Sequence, residues 1–140
     1  MKLAATLMPL LLLGACNGTE QGNPVQTEAF DGIAASETVY LTGTEPFWSA
    51  ELANGEALYK TPENIDGLRF PTSRFAGLNG VAFSGMAEGQ RFDATVTPGE
   101  CSDGMSDRTY PFTVTLLLGE EQRTGCAWTD LQPYSGPETP

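Results

Sequence analysis

Between Glu37 and Trp128 the chain alternates apolar and polar residues in short runs that turn residues interrupt. No window carries an apolar stripe at helical spacing. A period of two sends successive side chains to opposite faces of a strand, so these runs predict half-buried β-strands. In ETVYLTG, Val39 and Leu41 alternate with Thr38, Tyr40 and Thr42, and in FWSAEL, Trp48, Ala50 and Leu52 share a face. Asn54-Gly55 then supplies a hairpin signal, because both residues tolerate positive φ, and EALYK returns as the partner strand. GLRF, with Leu68 and Phe70, and GVAFSGM, with Val81 and Phe83, follow. Glu88-Gly89 turns into RFDATVT, where Phe92, Ala94 and Val96 face inward and Arg91, Asp93 and Thr95 face outward. YPFTVTLLL places Tyr110, Phe112, Val114, Leu116 and Leu118 on one face, and Gly119-Glu120-Glu121 turns into QRTGCAW. Seven or eight short strands in roughly 95 residues predict an all-β fold, a small antiparallel barrel or sandwich. A barrel hides its strand edges, which suits a protein held at high density on a membrane.

The length of 140 residues points to one domain, and 40% hydrophobic content is that of a foldable chain. The 18 Asp+Glu against 7 Lys+Arg give a formal charge of −11. That charge disfavours nucleic acid and anionic lipid surfaces, which would repel it. No histidine is present. Ser-His-Asp and Cys-His catalysis and His-ligated zinc are therefore excluded. Carboxylate-only chemistry has one pair to consider, Glu45 and Asp103, and nothing in the sequence brings the two together. The expectation is no catalytic residue, no cofactor and no metal.

Residues 1–15 read as an export signal, with Lys2 as the positive segment and Leu3 to Leu13 as an apolar stretch too short to span a bilayer. The segment Leu13-Gly14-Ala15-Cys16 resembles the bacterial lipobox. That resemblance implies cleavage before Cys16 and lipidation of its thiol and new amine. Several acyl chains at about 0.8 kcal/mol per buried CH₂ make a permanent anchor. Asn17 follows in place of the Asp that marks inner-membrane retention in enterobacteria, which favours an outer-membrane protein facing the periplasm. Removing Lys2 leaves six cations against 18 acids, or −12. With Cys16 lipidated, Cys101 and Cys126 remain, and an oxidising periplasm predicts a disulfide between them. It would close a loop of about 26 residues and stabilise by roughly 3–4 kcal/mol. The alternative is two separate buried thiols.

Residues 16–36 read as the lipidated cysteine and a flexible tether with a reach of about 25 Å. The alternative for this stretch is that Phe30 and Ile33 pack on the domain. The barrel domain is expected over residues 37–130. Residues 131–140, rich in Pro, read as a disordered tail.

Two motifs are candidates for function. In Gly43-Thr44-Glu45-Pro46-Phe47-Trp48, Pro46 suggests a kink between strands that sends Phe47 and Trp48 to opposite faces. Glu45 and Trp48 are then either a core Trp with a backbone-bonded acid, or an aromatic platform with an acid beside it at a barrel mouth. In Cys101-Ser102-Asp103-Gly104-Met105-Ser106-Asp107-Arg108-Thr109-Tyr110-Pro111, Asp103-Gly104 is a turn signal and Ser106 and Asp107 suit local turns. Arg108 is within reach of the carboxylates of Asp103 and Asp107. The loop is either a buttressed corner or a presented recognition loop with Ser106, Asp107 and Arg108 as contacts. Its acidic spacing does not match a calcium loop.

EPFW, CSDGMSDRTYP and GCAW together resemble a family of uncharacterised bacterial membrane lipoproteins, over about residues 37–129. The second motif is the specific one. In that resemblance the paired cysteines match Cys101 and Cys126, and the Asp-Gly-Met-Ser run matches residues 103–106. The family carries no established catalytic activity. Related small periplasmic β-barrel lipoproteins include membrane-bound c-type lysozyme inhibitors and META-domain heat-shock lipoproteins, although the inhibitors' binding signature has no match in this chain. The expected function is a non-enzymatic, membrane-anchored binding module. A basic envelope or host protein, such as a lysozyme, is the partner that so acidic a surface would steer. The alternative is a structural or stress-related lipoprotein with no dedicated ligand.

Overall fold

The computed structural model describes residues 28–138, so the signal segment, Cys16 and the first part of the tether lie outside the described residues. Eight antiparallel strands follow one another in sequence: β1 (Val39–Thr44), β2 (Phe47–Ala53), β3 (Glu56–Thr61), β4 (Asn64–Ala76), β5 (Val81–Ala87), β6 (Gln90–Cys101), β7 (Tyr110–Leu118) and β8 (Glu121–Thr129). Each pairs with its neighbours, and β8 returns to β1 to close the barrel, with Val39 opposite Thr129 and Thr42 opposite Cys126. The sheet is thus a barrel and not a sandwich. The eight paired strands and the core cluster lie within residues 28–138, and a chain starting at residue 17 retains all of them.

Two hairpins turn on residues that accept positive φ. Asn54 and Gly55 have φ of 53° and 75°, and Glu88 and Gly89 have φ of 49° and 81°. Both residues of each pair lie in the left-handed region, as type I′ hairpins require. The Glu45-Pro46 segment is itself the β1–β2 hairpin turn, with Thr44 opposite Phe47 and a cis peptide before Pro46. The expected kink between two strands is therefore a reversal. It still sends Phe47 outward, half exposed, and Trp48 inward, 3% exposed.

Alternate residues fill the barrel. Val39, Leu41, Trp48, Leu52, Phe70, Phe92, Val96 and Leu116 are buried in one cluster. Phe92 takes Tyr59 and Phe70 edge-on, with ring centres 5.9 and 5.1 Å away. Burying a side chain of this size is worth about 1.5–3 kcal/mol, which makes the alternating faces the main source of stability. Gly125 on β8 is required where the barrel closes, because a Cβ there would lie 2.0 Å from the Thr42 carbonyl oxygen.

At the C-terminal end the structure departs from the expected loose tail, and at the N-terminal end it agrees with the alternative in which Phe30 and Ile33 pack on the domain. Residues 28–36 are not all tether. Ile33 is 1% exposed and belongs to the core, and Phe30 packs against it. The Phe30 amide donates to Gly77 O (2.7 Å), and Arg74 donates to Ile33 O (2.6 Å). This segment plugs the end of the barrel where the β2–β3, β4–β5 and β6–β7 connections gather. Residues 131–138 are not loose either. Thr109 and Ser135 exchange two backbone hydrogen bonds, each 2.9 Å, and Tyr134 packs on Tyr110 and Trp128. Glu37 joins the two ends. Its carboxylate accepts from the Ala34 amide (2.8 Å), from Thr129 Oγ1 and from Gln132 Nε2 (3.2 Å).

Candidate functional site

The loop between β6 and β7 folds against the outer wall of the barrel. β6 loses register with β7 between Pro98 and Cys101. The Cys101–Cys126 disulfide then fastens the strand end to β8, with Cα atoms 5.6 Å apart.

Asp103 organises the loop. Its carboxylate accepts from the amides of Met105 (2.9 Å) and Ser106 (2.8 Å), from Ser106 Oγ (2.7 Å) and from the Tyr110 hydroxyl (3.1 Å). An Asp side chain that bonds amides two and three residues ahead replaces a backbone turn, which is why Asp103-Gly104 reverses the chain here. Gly104 has φ of 72°. Partial desolvation pushes the Asp103 carboxyl up. The amides of Ser106 and Met105 and the hydroxyls of Ser106 and Tyr110 outweigh that and bring it down to about 2.

Arg108 does not bind Asp103 or Asp107. Its Nε donates to Pro137 O (2.8 Å), a second guanidinium nitrogen donates to Glu138 O, and its Cζ stands 4.5 Å from the Tyr134 ring centre. The reason is local: four donors already occupy the Asp103 carboxylate, while the C-terminal segment offers carbonyls and a ring face. Ser106 is also turned inward, donating to Asp103 and accepting from the Arg108 amide (3.3 Å). Of the loop candidates, only Asp107 is free to meet a partner, as it is exposed and makes no side-chain hydrogen bond among the described residues. Beside it stands Met105, 66% exposed at the loop tip, which sequence reasoning did not select.

A cleft of about 360 Å³ runs beside the loop along the outer faces of β1, β7 and β8. Its lining includes Thr42, Thr113, Thr115 and Thr124, with Asp103 and the disulfide at one side. The outward Thr residues of the β7 alternation were readable in YPFTVTLLL. Their convergence with β1 was not, because it depends on barrel closure. The cleft offers hydroxyl donors and acceptors and one held carboxylate, a surface suited to polar or cationic groups.

Glu45 and Trp48 are not brought into the Asp103 network. Glu45 is exposed in the turn one residue beyond Thr44, a cleft residue. Trp48 is a core residue whose ring lies over Gly43, where a Cβ would fall 2.0 Å from Nε1. Outside the barrel, Trp128 stacks on Tyr40 with ring centres 5.3 Å apart and meets Tyr110 at 5.4 Å. Tyr110 is therefore buried under this outer cluster, not on the core face with Phe112 as the alternation suggested. No group of three or more metal-ligating side chains occurs among the described residues. Compared with known proteins, the chain matches no family model, no curated protein and no solved structure.

Proposed function

We propose that this chain is a lipid-anchored lipoprotein of the bacterial envelope, on the periplasmic side of the outer membrane, whose barrel is a non-enzymatic binding module for a basic protein. The anchor rests on the lipobox-like Leu13-Gly14-Ala15-Cys16 and on the resemblance to bacterial membrane lipoproteins. The observation that carries the binding reading is the loop itself. The disulfide and Asp103 hold it rigid while its tip presents Met105 and Asp107 beside a hydroxyl-lined cleft. A preordered loop loses little entropy on binding. The acidic surface would raise the encounter rate with a cationic partner.

A non-enzymatic role fits the state of Asp103. A carboxyl that serves as general acid near neutral pH is raised, whereas this one is lowered to about 2. The inward use of Ser106 and Arg108 favours a second reading, a structural or stress-related lipoprotein in which the loop is architecture alone.

Binding of the oxidised domain from residue 17 to a panel of basic lysozymes and to envelope extract separates the two. The module reading expects binding that weakens with salt and that Asp107→Asn and Met105→Ala reduce without lowering the melting temperature. Absence of salt-sensitive binding across the panel would favour the structural reading.

A further inference from the structure

A second groove lies on the outer face of the barrel, across β1, β2 and β3. Its volume is about 340 Å³, within the range of roughly 300–1,000 Å³ for small-ligand sites. Thr42, Ser49 and Lys60 form its floor as a cross-strand row, since Thr42 pairs with Ser49 and Ser49 with Lys60. Phe47, Pro62 and Ile65 are its apolar walls. Phe47 is 52% exposed and Ile65 is 74% exposed, so two large apolar side chains stand in water around a polar floor. An exposed apolar patch with a polar rim marks a contact site more often than a single exposed residue does.

The charge pattern identifies what the groove would take. Every described arginine is committed. Arg69, Arg91 and Arg123 pair with Glu56, Asp93 and Glu121, Arg74 holds Ile33 O, and Arg108 holds the C-terminal segment. Lys60 is the one cation among the described residues with neither an ion pair nor a hydrogen bond, and it lies in this groove. The Trp48 Nε1 makes no hydrogen bond among the described residues and is not a fully buried atom, and Trp48 and Gly43 both line the groove. Two unanswered donors beside two exposed apolar walls define an acceptor that is both anionic and greasy. Glu45, Glu51 and Glu63 sit on the adjoining turns and strand, outside the lining, and disfavour a second negative charge on the ligand.

We propose that this groove binds a small amphipathic monocarboxylate, with the carboxylate on Lys60 and the hydroxyl row and the apolar chain between Phe47 and Ile65. The site is separate from the 102–109 loop and does not depend on the role given to that loop.

Decanoate and decyltrimethylammonium share a tail and differ in the sign of the head, so the pair tests the assignment. Amide chemical shifts of the oxidised domain from residue 17 are followed while each is added below its micelle concentration. Decanoate is expected to shift Ser49, Lys60 and Ile65 saturably, and the cation is not. Lys60→Gln should weaken decanoate binding by about three- to fivefold. Ile65→Ser, at an exposed position near the start of β4 that lies outside the core cluster, should weaken it by about tenfold. Equal shifts from both amphiphiles, no saturable shift from decanoate, or unchanged binding in Lys60→Gln would each overturn the proposal.

Discussion

Arg108 stacks its guanidinium over the ring of Tyr134, 4.5 Å from the ring centre, and this contact joins the disulfide loop to the C-terminal segment. The same side chain donates to the carbonyls of Pro137 and Glu138. Removing it takes away a cation–π contact and two charge-assisted hydrogen bonds at a half-buried site, worth about 1–2 kcal/mol together. Arg108→Ala is expected to lower the melting temperature by roughly 4–8 °C per kcal/mol lost. Hydrogen exchange at Thr109 and Ser135 should quicken at the same time. Arg108→Lys should recover only part of the loss, because an ammonium cannot donate in a fork while lying flat on a ring.

Asp103 makes the fold sensitive to acid. Its folded carboxyl titrates at about 2, below the ordinary value of 3.8. A depressed carboxyl contributes stability that is complete above the unfolded value and is lost as the pH falls through the folded one. The loss should therefore run from about pH 5 down through about pH 2, and amount to about 1–2 kcal/mol after allowance for solvent at this half-buried site. Glu37 acts in the same direction. Burial raises its carboxyl, but Thr129, the Ala34 amide, Gln132 and Arg74 together lower it. Urea midpoints of the wild type and of Asp103→Asn, compared across this range, should show a shallower slope in the variant.

The Cys101–Cys126 bridge, 25 positions apart in sequence, restrains the unfolded chain by about 3 kcal/mol. The double substitution Cys101→Ser and Cys126→Ser should therefore lower the unfolding free energy by that amount, read as a lower denaturant midpoint at unchanged slope, while the barrel persists. Unchanged far-ultraviolet circular dichroism below the transition would show that the bridge stabilises the sheet and does not create it. Exchange protection should fall most in residues 102–109, which the bridge anchors.

Ile33 provides a test of the plug. Ile33→Ala removes a side chain that is 1% exposed and should cost about 2–4 kcal/mol. Ala34→Ser, an exposed neighbour in the same segment, should change stability by less than about 0.5 kcal/mol. A pair of small, equal effects would mean that the segment does not bear on the barrel in solution.

The strands were legible because each carries its own alternation, and the hairpins at Asn54-Gly55 and Glu88-Gly89 because their residues meet a local φ requirement. Ile33 was legible only as an alternative to the tether, and Tyr134 was not legible as a packing residue. Each stands alone in a polar stretch, and only the finished barrel gives it a surface to bury against. The loop was legible as a corner, and the partner of Arg108 was not. Neighbouring Asp residues are the obvious partners in sequence, but the Asp103 carboxylate is filled from within the loop. The second groove draws Phe47, Lys60 and Ile65 from three separate segments, and no linear pattern reports such a convergence.

The pairing of β8 with β1 also sets the order in which the molecule can be completed. Seven of the eight ladders join consecutive strands and can form as local hairpins while the chain is still growing. The ladder between Val39–Thr42 and Cys126–Thr129 joins strands from opposite ends of the domain, so its loop-closure entropy is met last. Until β8 arrives, β1 holds an open row of amides and carbonyls beside Val39 and Leu41, ready to pair with another chain. The period of greatest risk for this protein is therefore its synthesis and folding, when a chain that ends with no free edge must pass through a stage that has one.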